Sequence, residues 1–298
     1  MFQAEKRNWQ TTHSTPLIVG LSRHKKYALM NESLEELINL LSLEQLDLNV
    51  FRAFHPERRK GRLFGGQIMA QALMAASMTV PKDRSAHSLH GYFMRPGTPD
   101  TPALIKVERI RDGKSFTTRR IVVLQLGEAI FSMDASFQKE EEGFDHQLSK
   151  PDLEPPASEK IPEGLKQSPF ITWRHEFRRL QSETPQPPEQ FVWFKCNGEV
   201  SENPILNQCL LVYESDTALL GTCRLPHRGK FEREKMQVAS LDHAMWFHRP
   251  ISLNQWFLYS IDSPSTSSAR GYTRGSIFTE TGVLVASTAQ EGLIRLVS

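Results

Sequence analysis

Three polar residues in the second half of the chain are of the types from which acid–base chemistry is made. Asp216 stands in Tyr213-Glu214-Ser215-Asp216-Thr217, and Gln290 lies in Ser287-Thr288-Ala289-Gln290-Glu291-Gly292. Ser240 opens the run Ser240-Leu241-Asp242-His243-Ala244-Met245-Trp246-Phe247-His248-Arg249-Pro250. A carboxylate on an enclosed helix is costly unless it is hydrogen-bonded or employed. A strand hydroxyl is usually just satisfied by a neighbour, and glutamines are commonplace on surfaces. Position alone therefore leaves structural and chemical readings open for all three.

Other chemistries have less behind them. There is no Gly-x-Ser-x-Gly elbow, no Gly-x-x-x-x-Gly-Lys loop and no Gly-x-Gly-x-x-Gly fingerprint, which argues against an elbow-type serine hydrolase and the usual nucleotide cradles. His87, His90, His243 and His248 lack cysteine or carboxylate partners at familiar ligand spacing. Strand alternation also sets His87 and His90 on opposite faces, so buried, hydrogen-bonded histidines are expected and a metal site is not. Asp242-His243 raises a hydratase-like acid/base pair, but adjacent strand residues point to opposite faces. Cys196, Cys209 and Cys223 show no Cys-x-x-Cys spacing, and unpaired buried thiols are expected.

The elements that must position these residues come twice. His87-Ser88-Leu89-His90-Gly91-Tyr92-Phe93-Met94-Arg95-Pro96 is a weaker copy of the run ending at Pro250, and both carry aromatic-Phe-x-Arg-Pro about 155 residues apart. Leu126-Gly127 and Thr281-Gly282 repeat a turn at the same spacing. In the first copy, Ser33 and Glu36 form a capping box for a helix over about 33–44. A short strand follows from Phe51 to Pro56, then a basic turn at Arg58, Arg59, Lys60 and Arg62. Gly65-Gly66-Gln67 opens a helix that is apolar almost all round, and such a helix has to be surrounded. Alternation then predicts strands at about 87–94, 103–111, 115–125 and 129–138. In the second copy the predicted order is a strand within Phe170 to Leu180, a strand at Phe191 to Phe194, a helix at about 203–220, and strands at about 236–248, 255–262, 268–279 and 283–296. One enclosed helix followed by long antiparallel strands is a helix wrapped in a sheet. The expected fold class is α+β, with two tandem units of this kind.

The expected division is a loose leader over 1–29, an N-terminal unit over 30–140, a proline-rich linker over 141–168 and a C-terminal unit over 169–298. A net charge of +2 argues against a nucleic-acid binder, and hydrophobic and charged contents of 39% and 23% fit an ordinary soluble protein. No apolar run approaches the ~20 residues needed to span a bilayer, so no membrane partner is expected.

Several runs together resemble the acyl-CoA thioesterase II family. They are Arg62-Leu63-Phe64-Gly65-Gly66-Gln67, the His87 to Gly97 stretch, Arg111-Asp112-Gly113-Lys114-Ser115-Phe116, Leu241 to Pro250, Ser267-Ser268-Ala269-Arg270-Gly271 and Gly282 to Gly292. The likeness runs from about Met30 to the C-terminus, leaving out much of the linker. It implies a double hotdog fold, whose long exposed sheet edges point to a homodimer or larger homo-oligomer, and, carried onto matching positions, a catalytic trio of Asp216, Ser240 and Gln290. The family's hydroxyl residue is a Ser or a Thr, and here it is Ser240. The implied reaction is hydrolysis of fatty acyl-CoA through a water held and deprotonated by Asp216, with coenzyme A as part of the substrate and no cofactor. The first copy has Met133-Asp134-Ala135-Ser136-Phe137 at the corresponding strand, so one site per chain is implied, with the N-terminal unit as its walls. Gly65, Gly66 and Gln67 would offer backbone N–H groups to the oxyanion, unless the start of the second helix does so. Arg119 and Arg270 would reach the CoA phosphates. The end Arg295-Leu296-Val297-Ser298 lacks a Ser-Lys-Leu type signal, and a cytoplasmic location is expected.

Overall fold

The computed structural model describes residues 32–55, 61–157, 168–175, 183–230 and 235–297. The expected leader, the turn residues Arg58, Arg59 and Lys60, part of the linker and the end of the strand expected to reach Leu180 lie outside them, as does the side chain of Ser33.

In chain order the first half contains α1 (Glu32–Leu40), β1 (Glu44–Asp47), β2 (Val50–Ala53), α2 (Gly65–Ser77), β3 (Arg84–Phe93), β4 (Ala103–Asp112), β5 (Phe116–Gln125) and β6 (Glu128–Lys139). The second half contains β7 (Phe170–Arg174), β8 (Glu189–Cys196), α3 (Pro204–Ser215), a short α4 (Leu219–Thr222), β9 (Met236–Ser240), β10 (Asp242–Phe247), β11 (Phe257–Ser267), β12 (Arg270–Thr279) and β13 (Leu284–Leu296). Among the described residues all strands join one 13-stranded sheet in the order β1-β2-β4-β5-β6-β3-β10-β13-β12-β11-β8-β7, with β9 beside β13. The order β2-β4-β5-β6-β3 is read backwards as β8-β11-β12-β13-β10, so the duplication in sequence is a palindrome in the sheet.

The seam of that palindrome is the repeated motif itself. β3 and β10 pair antiparallel, with Tyr92 opposite Asp242, His90 opposite Ala244 and Ser88 opposite Trp246. The His90 ring meets Trp246 edge-on at 5.0 Å. Against the sheet and against each other pack α2 and α3. Met69, Ala70, Ala72, Leu73, Ala75, Cys209, Leu210, Leu211 and Val212 are all fully buried, as helices without a polar face require. Asn203 starts α3: its side chain accepts from the Ile205 and Leu206 N–H groups, and Pro204 occupies the first turn. Gln208 of α3 donates to the Ala86 carbonyl of β3 at 2.8 Å, tying the second helix to the first unit. This is the α+β double hotdog that the sequence led us to expect.

Three departures have local causes. The first helix ends at Leu40 rather than 44, since Glu44 to Asp47 pairs with β2. The second enclosed helix stops at Ser215 rather than 220. Its last turn tightens through Thr217 N–H to the Glu214 carbonyl (3.0 Å), and Asp216 becomes the residue that ends it. The strand expected over 236–248 breaks at Leu241, because the Asp242 carboxylate takes the Glu291 N–H at 2.6 Å in place of a backbone acceptor. Described residues of the linker have no helix or strand of their own over 140–157. Gln147 nonetheless bonds the Gly282 carbonyl (2.7 Å) and the Leu284 N–H (3.0 Å), and Asp145 pairs with Arg249.

Gly66 sets how closely the two helices approach. A Cβ there would stand 2.3 Å from the Tyr213 carbonyl oxygen, a backbone atom that cannot swing away. Gly66→Ala is expected to cost about 1–3 kcal/mol in thermal or urea unfolding. Gly143→Ala, where a Cβ meets nothing within 4 Å, should stay within about 0.5 kcal/mol of the parent.

Candidate active site

The three residues singled out by sequence come from three elements and meet at the end of α3. Gln290, on the inward face of β13 and only 1% exposed, donates through Nε2 to Asp216 Oδ1 at 2.6 Å and to Ser240 Oγ at 3.1 Å. Ser240 ends β9, opposite Gly292 of β13. The Asp216 side chain is 5% exposed. Its other oxygen, Oδ2, accepts from the Gly66 N–H at 2.9 Å. That contact joins residues 150 positions apart and belongs to α2, the helix of the first unit. The N-terminal unit therefore does more than wall the site: its helix supplies a donor to the carboxylate.

Burial raises the Asp216 carboxyl to about 6, and bonds from Gln290, the Gly66 N–H and Ser240 pull against that rise. Its place at the carboxyl end of α3 adds unfavourable dipole, while the amino end of α2 acts in the opposite sense. Asp216 can thus hold a proton or release it near neutrality, as a general base must. Next to it, His243 is fully buried, with Nδ1 3.9 Å from Asp216 Oδ1. Burial drives this imidazole down to about 3, so it is neutral.

The remaining expected site residues divide. Gly65 lies against Asp216, since a Cβ on it would be 2.7 Å from Asp216 Oδ2. The Gly66 N–H is engaged by the carboxylate rather than held open for substrate. The Gln67 side chain reaches His55, its Nε2 3.0 Å from Nδ1, while its backbone N–H, the group expected to serve the oxyanion, lies in the first turn of α2. Arg119 requires correction as a phosphate ligand. It is fully buried, and its five N–H groups go to Thr79 Oγ1, the Thr79, Thr118 and Arg111 carbonyls and Asp112. Arg270 is 46% exposed and paired with Glu291 at 2.9 Å. Of the four histidines, His243 and His87 are buried or half-buried with hydroxyl partners; His90 and His248 are exposed, against expectation, although His248 Nε2 lies 2.9 Å from Ser287 Oγ. Asp242 and His243 point to opposite sides as alternation required, one to the Glu291 N–H and one to Ser215. All three cysteines are free and buried.

Sequence reasoning passed over two groups. One is His55, between Gln67 and Gln125, whose pKa burial lowers to about 4. The other is Glu214, whose signal was its place two residues before Asp216. Burial raises Glu214 to about 8, opposed by hydrogen bonds from Thr217 and Thr172 and by the charge of Arg174. A carboxyl raised in the folded state stabilises fully below its unfolded value and loses that contribution as pH rises through its folded value. Glu214→Gln should therefore gain on the parent in thermal unfolding as pH rises from about 5 to about 8.

Family models described as "Acyl-CoA thioesterase N-terminal domain" and "Acyl-CoA thioesterase" match residues 55–138 and 170–293. "Acyl-CoA thioesterase 2" of Haemophilus influenzae is 38% identical over 283 residues, covering 89% of this chain and 99% of that protein. The solved structure of an acyl-CoA thioesterase II TesB2 from Mycobacterium marinum superposes with a TM-score of 0.76 at 42% identity, over 89% of this chain and 98% of that one. A hot dog fold protein from Alicyclobacillus acidocaldarius, at 16% identity and a TM-score of 0.72 over 88% of this chain and 99% of that one, shares the fold alone. On this evidence the chain belongs to the acyl-CoA thioesterase II family of thioester hydrolases.

Proposed function

We propose that the protein hydrolyses fatty acyl-CoA to a free fatty acid and CoA, with Asp216 as general base toward one water and with Ser240 and Gln290 as its orienting partners. The observation that carries this reading is the Gln290 amide, whose two N–H bonds serve Asp216 and Ser240 at once. A single side chain thereby locks a carboxylate and a hydroxyl from separate elements into one constellation.

In this reading the water oxygen attacks the thioester carbonyl carbon as one water proton passes to Asp216. The tetrahedral oxyanion forms near the amino end of α2, where the helix dipole and orphan N–H groups favour negative charge. Collapse breaks the carbon–sulfur bond, and the proton on Asp216 goes to the departing CoA sulfur. No covalent intermediate is needed. General-base help of this kind is worth about 10²–10⁴ in rate. The acyl chain lies along apolar surface between helix and sheet, and Arg270 serves the CoA phosphates. Coenzyme A enters only as part of the substrate. The same reading carries a homodimer or larger assembly, since all four residues of the edge strand β1 are exposed; sedimentation equilibrium would give the mass.

Incubation with palmitoyl-CoA and a thiol reagent is expected to report released CoA, since the protein's own thiols are buried. Asp216→Asn should abolish that release, and equal release by the variant would remove Asp216 as the base. A hydroxyacyl product from an enoyl-CoA without free thiol would mean a hydratase, and tight acyl-CoA binding with neither product a non-catalytic binding module. The acid limb of kcat against pH should fall near pH 6, where Asp216 titrates. Gln290→Ala removes a bond that holds this value down, so its limb should move to higher pH.

A further inference from the structure

We propose that His243 is a further catalytic residue of this reaction, accepting through Nδ1 a hydrogen bond from the same water that Asp216 deprotonates. The inference rests on the thioesterase reading above and adds a second grip on the nucleophile.

The argument turns on where the imidazole carries its proton. His243 Nε2 lies 3.1 Å from Ser215 Oγ. A hydroxyl has one proton to give, and that of Ser215 goes to the Val212 carbonyl at 2.8 Å. The Nε2 contact is then a hydrogen bond only if Nε2 donates. A neutral ring with its proton on Nε2 has a lone pair at Nδ1. Burial keeps the ring neutral. The contact is braced from behind, because Tyr259 Oη donates to the Ser215 carbonyl at 3.1 Å and lies 2.7 Å from Thr288 Oγ1.

Nδ1 is buried and has no hydrogen-bond partner among the described residues. It faces Asp216 Oδ1 at 3.9 Å, too far for a direct bond. Gln290 Oε1, on the neighbouring strand, is likewise buried and unpartnered among the described residues. Gln290 reaches this place because Ala244 pairs with Ala289, which sets residues 243 and 290 side by side on adjacent strands. Two acceptors, a nitrogen lone pair and a carboxylate oxygen, cannot bond each other. A molecule with two O–H bonds satisfies both at about 2.8 Å from each. On the side of β3 the residue opposite His243 is Gly91, which brings no polar group.

Proton bookkeeping is closed without His243. One water proton passes to Asp216 and later to the CoA sulfur. The other stays on oxygen, directed at Nδ1 during attack, and leaves as the carboxylic acid hydrogen of the product. His243 therefore orients and does not titrate. Holding both O–H bonds turns a water lone pair toward the thioester carbon, the kind of placement whose loss costs about 10²-fold.

Two isosteric variants separate this role from a structural one. An Asn side chain places an amide where Nδ1 lies and loses the Ser215 contact; a Gln side chain places its amide where Nε2 lies and loses the acceptor toward Asp216. His243→Gln is expected to lower kcat about 10- to 100-fold with KM little changed, while His243→Asn keeps most of kcat. The reverse order would overturn the proposal, since it would make Ser215 anchoring the whole function of the ring. Equal activity of both variants with the parent would overturn it as well. Should neither variant fold, ¹⁵N NMR of the parent decides: a protonated Nε2 with an unprotonated Nδ1 supports the assignment, and a proton on Nδ1 overturns it. Asp216→Asn run alongside keeps the two readings apart. If that variant is inactive while His243→Gln is fully active, only the histidine assignment fails; if Asp216→Asn is active, the general-base reading fails first.

Discussion

The structure depends on one hydrogen bond between helix ends, from the Gly66 N–H of α2 to the Asp216 carboxylate that closes α3. An anion at the carboxyl end of its own helix is poorly placed, and this one is also withdrawn from water. The amino end of the other helix offsets both costs, provided the two helices come close enough for a backbone contact. Gly66 makes that approach possible, because any side chain there would strike the Tyr213 carbonyl. The edge-on contact of Phe64 and Tyr213 at 5.0 Å packs the same junction from beside.

In the reading proposed above, only the second half of the duplicated chain carries the side chains of the trio. Counting back about 155 residues from Gln290 reaches Ala135, a buried residue with no polar atom to offer. Its neighbour Asp134 faces outward and pairs with Arg120 at 3.0 Å. In that reading the first unit adds no side chain to the trio and supplies instead a helix amino end, through the Gly66 N–H. Pairing of β3 with β10 holds the two units in one sheet, so the helix ends meet in a set register rather than across a loose domain joint.

Around the carboxylate, the polar groups are ordered by what each can spare. Gln290 spends both N–H bonds, Gly66 its only one, and Ser215 its single proton on Val212. What is left inside is acceptors: His243 Nδ1 and Gln290 Oε1. In the reading proposed above, a water that donates to Asp216 and to Nδ1 satisfies the first of these two. Glu214, a second raised carboxyl on the same helix, is satisfied by Thr172 and Thr217 on another side and takes no part in this arrangement.

Much of this was legible beforehand. Period-two alternation and the echoed Arg-Pro motifs determined the strands and the duplication, since those patterns are local and repeat along the chain. An all-round apolar helix at Gly65 could only be enclosed. The likeness of several motifs to one family picked out Asp216, Ser240 and Gln290, which chain position alone left ambiguous. Arg119 could have been read correctly: Thr117, Ile121 and Val123 share its face of β5 and all point inward. Other features had no sequence signal. The break at Leu241 comes from a side chain capturing a neighbouring strand's N–H, the end of α3 from a tightened turn, and the His243 tautomer from a serine whose proton is already committed. Above all, the meeting of Gly66 and Asp216 spans 150 residues. Alternation records which face a residue buries; only the assembled sheet decides which distant backbone atom waits for it there, because that distance is set by packing rather than by chain.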